Sequence, residues 1–595
     1  MTVDLTGYRS LGEAFAARVA AHPERTALAF YRGSTAPEHE SVTYAELARR
    51  SRVRAEDLSR RLSPGDRVLI ALPTGTEFVE VYLACLSAGL VAVPSPMPGG
   101  SASAGERIAA IAADCSPGLT VTTDSAQEEV TAHLRKHGLE RLRVEAVRPV
   151  GAEPASMPGP GPAANGLVVD RGADAVLQYS SGSTGSPNGV ILTHGAVLAN
   201  VAALCTHSDL GPEDRFGSWL PLHHDMGLFT QLTAALLCGA SIVLMQPTLF
   251  IRRPVEWFRM LDRFRVTYTC APNFAYDLCA RLITDEMTEG LDLSAVRYTC
   301  NGAEPIHVPT VEAFTERFAR LGLGFRTHAP GYGLAESTAY VTCVPEDARP
   351  TVLTVDPLCL ESGERPELRP VSDGTGRQII GLGRPHAFDL HIVDPRTRGP
   401  LPEGGVGEIW LRGESIGRGY WDKPERSARV FDARLAGADD GPGWLRTGDL
   451  GALVDGELFV TGRLKELLIV HGRNLFPQDV EHEARAAHQA LGGQLGAAFG
   501  VGAPDERVVL VHEVHPRTPE SELPEVVTAV TRRLSRSFGL PLRNIVLVRR
   551  GTVRRTTSGK IRRTAMRERF LAGELNVLHA ELEPRLRAAP TGLEP

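Results

Sequence analysis

The chain has 595 residues, of which 43% are hydrophobic and 23% are charged, and its formal net charge is −7 at neutral pH. This length exceeds what a single hydrophobic core supports, so we expect several domains in an otherwise ordinary globular protein. The slightly negative charge gives no reason to expect nucleic acid or an anionic membrane as the main partner.

The N-terminus and the cysteines favour a cytoplasmic protein. The first residues lack the basic segment and the apolar core of a secretion signal. The longest apolar run, around 81–94, is too short to cross a bilayer, so we expect no stable membrane insertion and interpret the run as a buried helix followed by a core strand. The nine cysteines are scattered without a Cys-x-x-Cys pair, which favours free buried thiols in a reducing compartment.

Helices and strands alternate along the first hundred residues. Apolar residues at helical spacing predict a helix over Leu11 to Ala21, and the run 66–72 predicts a buried strand. This alternation is typical of an α/β sheet. The Pro/Gly-rich stretch 150–165 predicts a linker or a surface loop.

The second half changes character twice. Residues 347–376 are rich in Pro, Glu, Asp and Arg, which predicts an insertion without regular structure. From Val393 onward the pattern is strand-rich. Beyond Gly462 it predicts a compact α/β region, with strands near 494–500, 508–514 and 544–548.

The sharpest local motif is LQYSSGSTGSPNGVI, residues 177–191. Glycines let backbone N–H groups converge on an anion, and the Ser and Thr hydroxyls add donors, so a nucleotide triphosphate is the expected ligand. The motif is not a Walker A loop, because the second glycine of that pattern falls on Pro187. A Ser/Gly-rich surface turn is the alternative interpretation.

Four further motifs carry groups suited to a nucleotide. Tyr332 in YGLAEST offers a plane for a base, and Glu336 offers a carboxylate for Mg²⁺. Asp449 in WLRTGDL lies in a turn where it can accept from both ribose hydroxyls. FVTGRLKE brings a close pair of cations, and Lys560 in TTSGKI follows a Ser-Gly turn from which it can reach a phosphate or a carboxylate. Each motif alone is compatible with an ordinary turn.

In this order and spacing, the motifs resemble those of the adenylate-forming superfamily of acyl-CoA synthetases, adenylation domains and luciferases. The resemblance implies an α/β fold with a large N-terminal adenylate-forming domain, made of two α/β subdomains and a β-rich subdomain, and a small mobile C-terminal α+β domain. It implies an N-terminal AMP-binding domain over 1–461, with a family-type insertion at about 350–378, and a C-terminal domain over 462–595.

The resemblance also implies residue roles in a reaction of a carboxylic acid with ATP and Mg²⁺. The nucleotide-binding residues would be Ser181, Gly182, Ser183, Thr184, Gly185, Asn301, Gly302, Ala303, Glu304, Tyr332, Gly333, Leu334, Ser337, Asp449 and Arg463. Lys560 would bridge the carboxylate and the α-phosphate, Glu336 would act as the metal ligand, and Lys465 would be the hinge of the C-terminal domain.

A second set of motifs resembles one branch, the fatty acyl-AMP ligases. The set is WLPLHHDMGL (219–228), FIRRPVEW (250–257), APNFAYDLC (271–279), NGAEP (301–305) and GRNLFPQDVE (472–481). In that branch His224 would lie at the entrance of the acyl pocket as a catalytic residue. A core histidine paired with Asp225 is the alternative.

The branch resemblance implies a partner as well. Fatty acyl-AMP ligases carry an insertion that CoA ligases lack, and it is associated with poor use of CoA and with delivery to the phosphopantetheine of a carrier protein. Only about 35 residues follow Lys560, too few for a carrier domain, so we expect a separate acyl carrier protein. No nucleic acid partner is expected.

One position departs from the family pattern, because the phosphate loop usually has lysine where this chain has Asn188. A cation near the leaving pyrophosphate is therefore missing, or another residue supplies it. The sequence leaves three alternatives to a fatty acyl-AMP ligase open: an acyl-CoA ligase, an enzyme that adenylates a non-fatty acid, and a catalytically dead scaffold. Intact Glu336, Asp449, Arg463 and Lys560 argue against the last.

Overall fold

The computed structural model describes residues 4–36, 39–98, 102–148, 150, 169–179, 187–372, 376–437, 441–470, 473–502, 507–539, 542–556 and 559–587. The first elements are α1 (Leu11–Ala21), β1 (Thr26–Tyr31), β2 (Glu40–Thr43), α2 (Tyr44–Ser59), β3 (Arg67–Ala71), α3 (Thr76–Ser87), β4 (Val91–Pro94), α4 (Ala102–Cys115), β5 (Leu119–Thr122), α5 (Gln127–Lys136) and β6 (Val144–Ala146).

The middle of the chain continues the alternation. Its elements are β7 (Asp174–Tyr179), β8 (Gly189–Thr193), α6 (His194–His207), β9 (Arg215–Ser218), α7 (Asp225–Gly227), a π-helical stretch (Leu228–Thr233), α8 (Ala234–Cys238), β10 (Ser241–Met245), α9 (Pro247–Arg252), α10 (Val255–Arg263), β11 (Tyr268–Pro272), α11 (Asn273–Leu282), β12 (Tyr298–Gly302), α12 (Val308–Phe318), β13 (His328–Tyr332) and β14 (Thr342–Cys343).

The remaining elements are mostly strands. They are β15 (Val352–Val355), α13 (Pro357–Leu360), β16 (Arg377–Ile380), β17 (Asp389–Val393), β18 (Gly407–Arg412), β19 (Gly419–Tyr420), α14 (Pro424–Phe431), β20 (Leu445–Val454), β21 (Glu457–Arg463), β22 (Leu468–Val470), β23 (Arg473–Leu475), α15 (Pro477–Arg485), β24 (Gly496–Val501), β25 (Arg507–Glu513), α16 (Leu523–Phe538), β26 (Asn544–Val548), α17 (Arg563–Leu571), β27 (Val577–Glu581) and α18 (Pro584–Arg587).

Two large, mainly parallel sheets form the N-terminal part. One has the strand order β14-β13-β12-β11-β9-β10-β1-β2, and the other has the order β19-β8-β7-β4-β3-β5-β6. Helices including α1, α2, α3 and α6 contribute buried apolar side chains to the largest core, which both sheets share. Strands of a parallel sheet need helices on their faces, so this arrangement follows from the alternation in the sequence.

Two four-stranded sheets and the two-stranded sheets β15-β16 and β22-β23 complete the fold in the described residues, and the architecture confirms the predicted fold class. β17-β18-β20-β21 is an antiparallel sheet, the β-rich subdomain. β24-β25-β26-β27 forms the C-terminal α+β unit, with α16 packed in one apolar cluster and α17 in another. Strand β21 continues to Arg463, two residues past the predicted boundary at 461/462, so the position of that boundary stays a prediction.

Most predicted elements are present where they were expected. Helix α1 has the predicted bounds, α3 and β4 form the predicted buried helix and core strand, and β24, β25 and β26 match the three C-terminal strands. All nine cysteines are free, and eight of them are buried. Among the described helices, none combines the length and the apolar character needed to cross a bilayer. The predicted linker at 150–165 lies outside the described residues, except for residue 150.

The prediction of an irregular segment at 347–376 is wrong. Strand β15 pairs with β16 in antiparallel register, with Leu353 opposite Ile379. The buried side chains Val355 and Leu360 pack with Phe459 and Phe476 in one cluster. The prolines of the segment suggested a loop, but an alternating Val-Leu-Thr-Val run is enough for a strand once it has a partner.

Candidate active site

A cavity of about 1980 Å³ lies where the carboxyl ends of β11, β12 and β13 face the C-terminal part of the chain. These three strands are parallel neighbours, so the loops that follow them meet at one edge of the sheet. Ligands of open α/β sheets bind at this edge. The cavity is lined by side chains from both parts, including Asn301 and Lys560.

The loop after β12 supplies one wall of the cavity. The Asn301 side-chain amide donates to Asn273 Oδ1 at 3.3 Å and lies 3.2 Å from His328 Nε2, while its carbonyl oxygen has no partner among the described residues. Ala303 has φ +67°, a left-handed turn that aims the next carboxylate back towards α11. Glu304 accepts from the Phe274 N–H at 2.6 Å, and burial raises its pKa to about 7, against the lowering effect of Lys560.

The register of β20 and β21 pairs Asp449 directly with Arg463. Arg463 Nε lies 3.0 Å from Asp449 Oδ1, and the Tyr332 hydroxyl donates to Asp449 Oδ2 at 2.8 Å. Each carboxylate oxygen has a second lone pair, so Asp449 can still accept from a ligand. The Asp449 carboxylate therefore joins the β-rich sheet to the end of β13 at the cavity.

The loop after β13 is fixed by close packing. A Cβ at Gly333 would lie 1.6 Å from the Ala339 carbonyl oxygen, so only glycine fits there. Further along the loop, Glu336 Oε1 accepts from the Tyr420 hydroxyl at 2.8 Å, and burial raises the pKa of this carboxyl. The other oxygen of Glu336 remains available to the cavity that its side chain lines.

Lys560 enters this edge of the sheet from the C-terminal part. Thr556 and Lys560 close a turn, with the Thr556 N–H donating to the Lys560 carbonyl oxygen at 2.8 Å. Gly559 has φ +89°, and a Cβ there would approach the Phe274 ring at 2.9 Å. Burial lowers the pKa of Lys560, as does Arg463, while Asp225, Asp449 and Glu304 raise it, so the ammonium lies among three carboxylates.

Comparison with known proteins identifies this arrangement. The profile of the AMP-binding enzyme family matches residues 15–421. The chain belongs to the AMP-binding enzyme family. Among its curated relatives is 4-hydroxyphenylalkanoate adenylyltransferase of Mycobacterium tuberculosis, 37% identical over 589 residues, with 96% of this chain and 93% of the relative covered.

Two further comparisons assign this AMP-binding enzyme to the fatty acyl-AMP ligase branch. Long-chain-fatty-acid–AMP ligase FadD26 of Mycobacterium marinum is 37% identical over 586 residues, covering 93% of this chain and 96% of the relative. A solved structure from a study of fatty acyl-adenylate ligases of E. coli and L. pneumophila superposes with a TM-score of 0.83 at 30% identity, covering 95% and 98% of the two chains. The protein is an adenylate-forming ligase, and the predicted family is confirmed.

Most of the predicted site residues of this ligase come together in the cavity. The lining includes His224, Asn301, Gly302, Ala303, Glu304, Tyr332, Gly333, Leu334, Glu336, Asp449, Arg463, Lys465 and Lys560. Ser337 is buried beside the cavity, where its hydroxyl donates to the Leu334 carbonyl oxygen at 3.0 Å. The predicted phosphate-loop residues Ser181, Gly182, Ser183, Thr184 and Gly185 lie outside the described residues.

Both interpretations of His224 have structural support. Its Nδ1 lies 3.5 Å from Asp225 Oδ1, as expected for a paired histidine, and the ring also lines the cavity. Asp225 is half-buried, and desolvation raises its pKa, but the hydrogen bond with His224 and the charge of Lys560 outweigh this effect and lower it. The charged form of the Asp225 carboxyl is therefore favoured.

The chemistry around Glu336 fits one Mg²⁺ ligand. Within the described residues no three His, Cys, Asp or Glu side chains are grouped as a metal site. Magnesium usually keeps several waters and takes one or two carboxylates together with substrate phosphates. Glu336 lines the cavity, and a bound cation would stabilise the charged form of this half-buried carboxyl, which suits that role.

Lys423 is a residue of the site that the sequence interpretation missed. Strand β19 pairs with β8, so Tyr420 lies opposite Val190 and the following residues run beside Asn188. The Lys423 ammonium donates to Asp114 Oδ1 at 2.8 Å and lies 3.4 Å from Asn188 Oδ1. Asp114 in turn accepts from the Tyr179 hydroxyl at 2.6 Å. The sequence did hint at such a cation, because the lysine usual at position 188 is absent. Only the pairing of β19 with β8 identifies Lys423 as the cation beside Asn188.

The segment predicted to be an insertion contacts the C-terminal part of the ligase. Glu361 forms an ion pair with Arg473, and its carbonyl oxygen accepts from the Asn474 N–H at 2.8 Å. Arg377 pairs with Asp479 at 2.6 Å. On the other side of the same unit, Arg563 binds both Glu466, next to Lys465, and Glu481.

Proposed function

We propose that this ligase joins a fatty acid to AMP and then passes the acyl group to a separate phosphopantetheinylated acyl carrier protein. The observation that carries the first half is that Lys560 lines one cavity together with Asp225, Asp449 and Glu304, at the edge of the sheet where ligands bind. A cation that faces anionic groups across a domain cleft suits a reaction between two anions.

In the proposed step, a carboxylate oxygen of the acid attacks the α-phosphorus of ATP. The new bond joins that oxygen to phosphorus, and the bond from the α-phosphorus to the bridging oxygen breaks, so pyrophosphate leaves with the electron pair. Lys560 offsets the charge that accumulates on the α-phosphate oxygens. A Mg²⁺ ion bound at Glu336 would neutralise charge on the phosphates.

The nucleotide roles follow from the same geometry. The side-chain carbonyl oxygen of Asn301 has no partner among the described residues, and it suits the exocyclic amine of adenine as a hydrogen-bond donor. The Tyr332 ring would stack on the base, and its bond to Asp449 orients that carboxylate for the ribose hydroxyls. Arg463 holds Asp449 from the other side. Lys465 would be the hinge, and Ser181 to Gly185 would bind the terminal phosphates.

Lys423 would act as a positioning residue for the phosphate loop. Through Asp114 it reaches Tyr179 on one side of residues 180–186, and it reaches Asn188 directly on the other. This arrangement supports the idea that another residue takes over from the lysine absent at 188. It does so by holding the two flanks of the loop in place.

The carrier half of the proposal is supported by the insertion. Transfer requires the C-terminal part to turn away so that a thiol can reach the acyl-adenylate. The contacts of Glu361 with Arg473 and Asn474 resist that turn. A carrier protein can offset this resistance with binding energy from its own surface, whereas free CoA has a smaller surface to contribute.

The relatives leave the identity of the acid as part of the proposal. At the same 37% identity, one is named for 4-hydroxyphenylalkanoates and another for long-chain fatty acids. The test is mass spectrometry of products formed from ATP, Mg²⁺ and a panel of acids, with CoA or with a phosphopantetheinylated carrier protein. We expect acyl-AMP and pyrophosphate, discharge by the carrier, and little acyl-CoA. Efficient acyl-CoA synthesis would contradict the carrier half alone.

A further inference from the structure

The deep end of the cavity is lined by hydroxyl and thiol groups. We call this set the inner arm: Thr230, Tyr268, Cys270, Cys300, Tyr340 and Cys343, all of them buried. None of the six carries a formal charge, whereas the opposite end of the cavity is lined by Asp449, Arg463 and Lys560. Apolar side chains, among them Leu204, Met226 and Ala339, also line the cavity, so a hydrocarbon chain fits there, but the buried hydroxyl groups call for a polar atom on the occupant as well.

Strand register produces the inner arm. Cys270 lies opposite Cys300 in the β11–β12 ladder, and Tyr268 shares their face because side chains two residues apart point the same way. β14 continues the row, with Cys343 Sγ 3.9 Å from Cys300 Sγ. Thr230 closes the arm from the π-helical stretch, where its hydroxyl lies 3.8 Å from Cys270 Sγ.

Two of the three hydroxyl groups of the inner arm, those of Tyr268 and Tyr340, are poorly satisfied within the protein, whereas the Thr230 hydroxyl donates to the Met226 carbonyl oxygen at 2.6 Å. The Tyr268 hydroxyl has only the thiols of Cys270 at 3.5 Å and Cys300 at 3.4 Å as partners in the described chain, and thiols bond weakly. The Tyr340 hydroxyl has no partner among the described residues, although the side chain is only 5% exposed. Buried hydroxyls are normally bonded, so a group brought by the substrate is the missing partner.

We infer that the acid activated by this enzyme ends in an uncharged hydroxyl, which the Tyr268 and Tyr340 hydroxyls bind. The inference rests on the proposed adenylation. Tyr268 is the first residue of β11 and Pro272 is the last, at the edge of the sheet where the nucleotide would bind. At the rise of a β-strand, four residues separate Tyr268 from that edge by about 13 Å. The acid is therefore of medium length. Burial raises the pKa of Tyr268 and Cys270 well above the usual values, and the hydrogen bond with Cys343 together with burial does so for Cys300 against the lowering effect of Cys270, so these groups stay neutral and suit a neutral partner.

The test is ATP–pyrophosphate exchange with acids matched in length. Octanoate is compared with ω-hydroxyoctanoate, and phenylpropanoate with para-hydroxyphenylpropanoate, with palmitate as the long-chain reference. We expect at least one hydroxylated acid to have a kcat/KM about tenfold or more above that of its plain partner, since a site built to bond a hydroxyl rejects the analogue that lacks it. Palmitate should be a poor substrate.

Variants sharpen the result. Tyr340→Phe and Tyr268→Phe should each bring the ratio between hydroxylated and plain acid towards one, because each removes a hydroxyl partner without changing the ring. The matched control is Tyr82→Phe, which removes a buried hydroxyl bonded to Thr233 outside the cavity lining and should keep the wild-type ratio. Equal or better exchange with plain acids by the wild-type enzyme overturns this inference and leaves adenylation standing. Absence of exchange with every acid overturns both.

Discussion

The two ends of the cavity differ in their chemistry and in the elements that supply it. At the nucleotide end, Asp449 and Arg463 come from the paired strands β20 and β21, and Lys560 comes from a turn in the C-terminal part of the chain. At the inner arm, neutral hydroxyls and thiols come from neighbouring strands, from one π-helical stretch and, for Tyr340, from the loop before β14. The charged end depends on how parts of the molecule are assembled, whereas the neutral end depends on register within one sheet.

The strongest test of the charged end is Lys560→Ala. Losing a group that stabilises transition-state charge should lower adenylation about 10²–10³-fold. ATP–pyrophosphate exchange measures the effect. Arg554→Ala, an exposed charge in the same loop, is the control and should keep near-normal exchange. Wild-type exchange by the Lys560 variant would refute the role assigned to this ammonium.

The second prediction concerns Glu336→Gln, which keeps the shape of the side chain and removes its charge. The concentration of Mg²⁺ for half-maximal exchange should rise about 10-fold or more, as is usual for the loss of a metal-binding contact. Glu414→Gln, an exposed carboxylate on a nearby loop, should leave that concentration unchanged. Undiminished activity of the wild-type enzyme in excess EDTA would show that no metal is needed.

The third prediction addresses Lys423 through Lys423→Met. Losing its charge-assisted bonds to Asp114 and Asn188 should raise KM for ATP about tenfold with a smaller change in kcat, because such bonds contribute about 1.5–3 kcal/mol. Lys423→Arg should restore much of the affinity, since it keeps the charge. A loss confined to kcat, or no recovery with arginine, would contradict the positioning role.

The smallest expected effect is on stability and involves Glu304. Burial raises the folded-state pKa of Glu304 from 4.5 to about 7. The contribution of Glu304 to the free energy of unfolding is therefore fully present below pH 4.5 and is lost as the pH rises through 7. Arg485, Arg555 and Lys560 oppose this shift. Between pH 5 and 8 the wild-type melting temperature should therefore fall relative to Glu304→Gln, by about 1–2 °C in a chain of this size. If the melting temperatures of the two proteins change with pH in parallel, the raised pKa of Glu304 is excluded.

The sequence predicted the charged end well. Its motifs carry residues whose type states the chemistry, such as Asp449 and Lys560, and the structure brings the described ones together. Short, nearly continuous apolar runs, such as those of β24 and β25, were predictable for the same reason, because one local pattern was enough. β27, with its half-buried Val577–Glu581, was not predicted, since its pattern becomes a strand only through pairing with β26.

The inner arm and Lys423 were not predictable. Cys270, Cys300 and Cys343 are far apart in sequence, and only the ladders of β11 with β12 and of β13 with β14 align them. Lys423 reaches Asn188 only because β19 is added to the edge of the sheet beside β8. Long-range pairing is a property of the assembled sheet, so single-chain patterns carry little trace of it.

The origin of the inner arm in strand register has an evolutionary consequence. Backbone hydrogen bonds between β11 and β12 hold the positions of residues 270 and 300 whichever side chains stand there. Substitutions at these positions can therefore change which acid is accepted without moving the strands and the turn that carry the charged groups. A lineage built on this scaffold can acquire new substrates by a few exchanges in its strands, while the same adenylation chemistry is inherited unchanged.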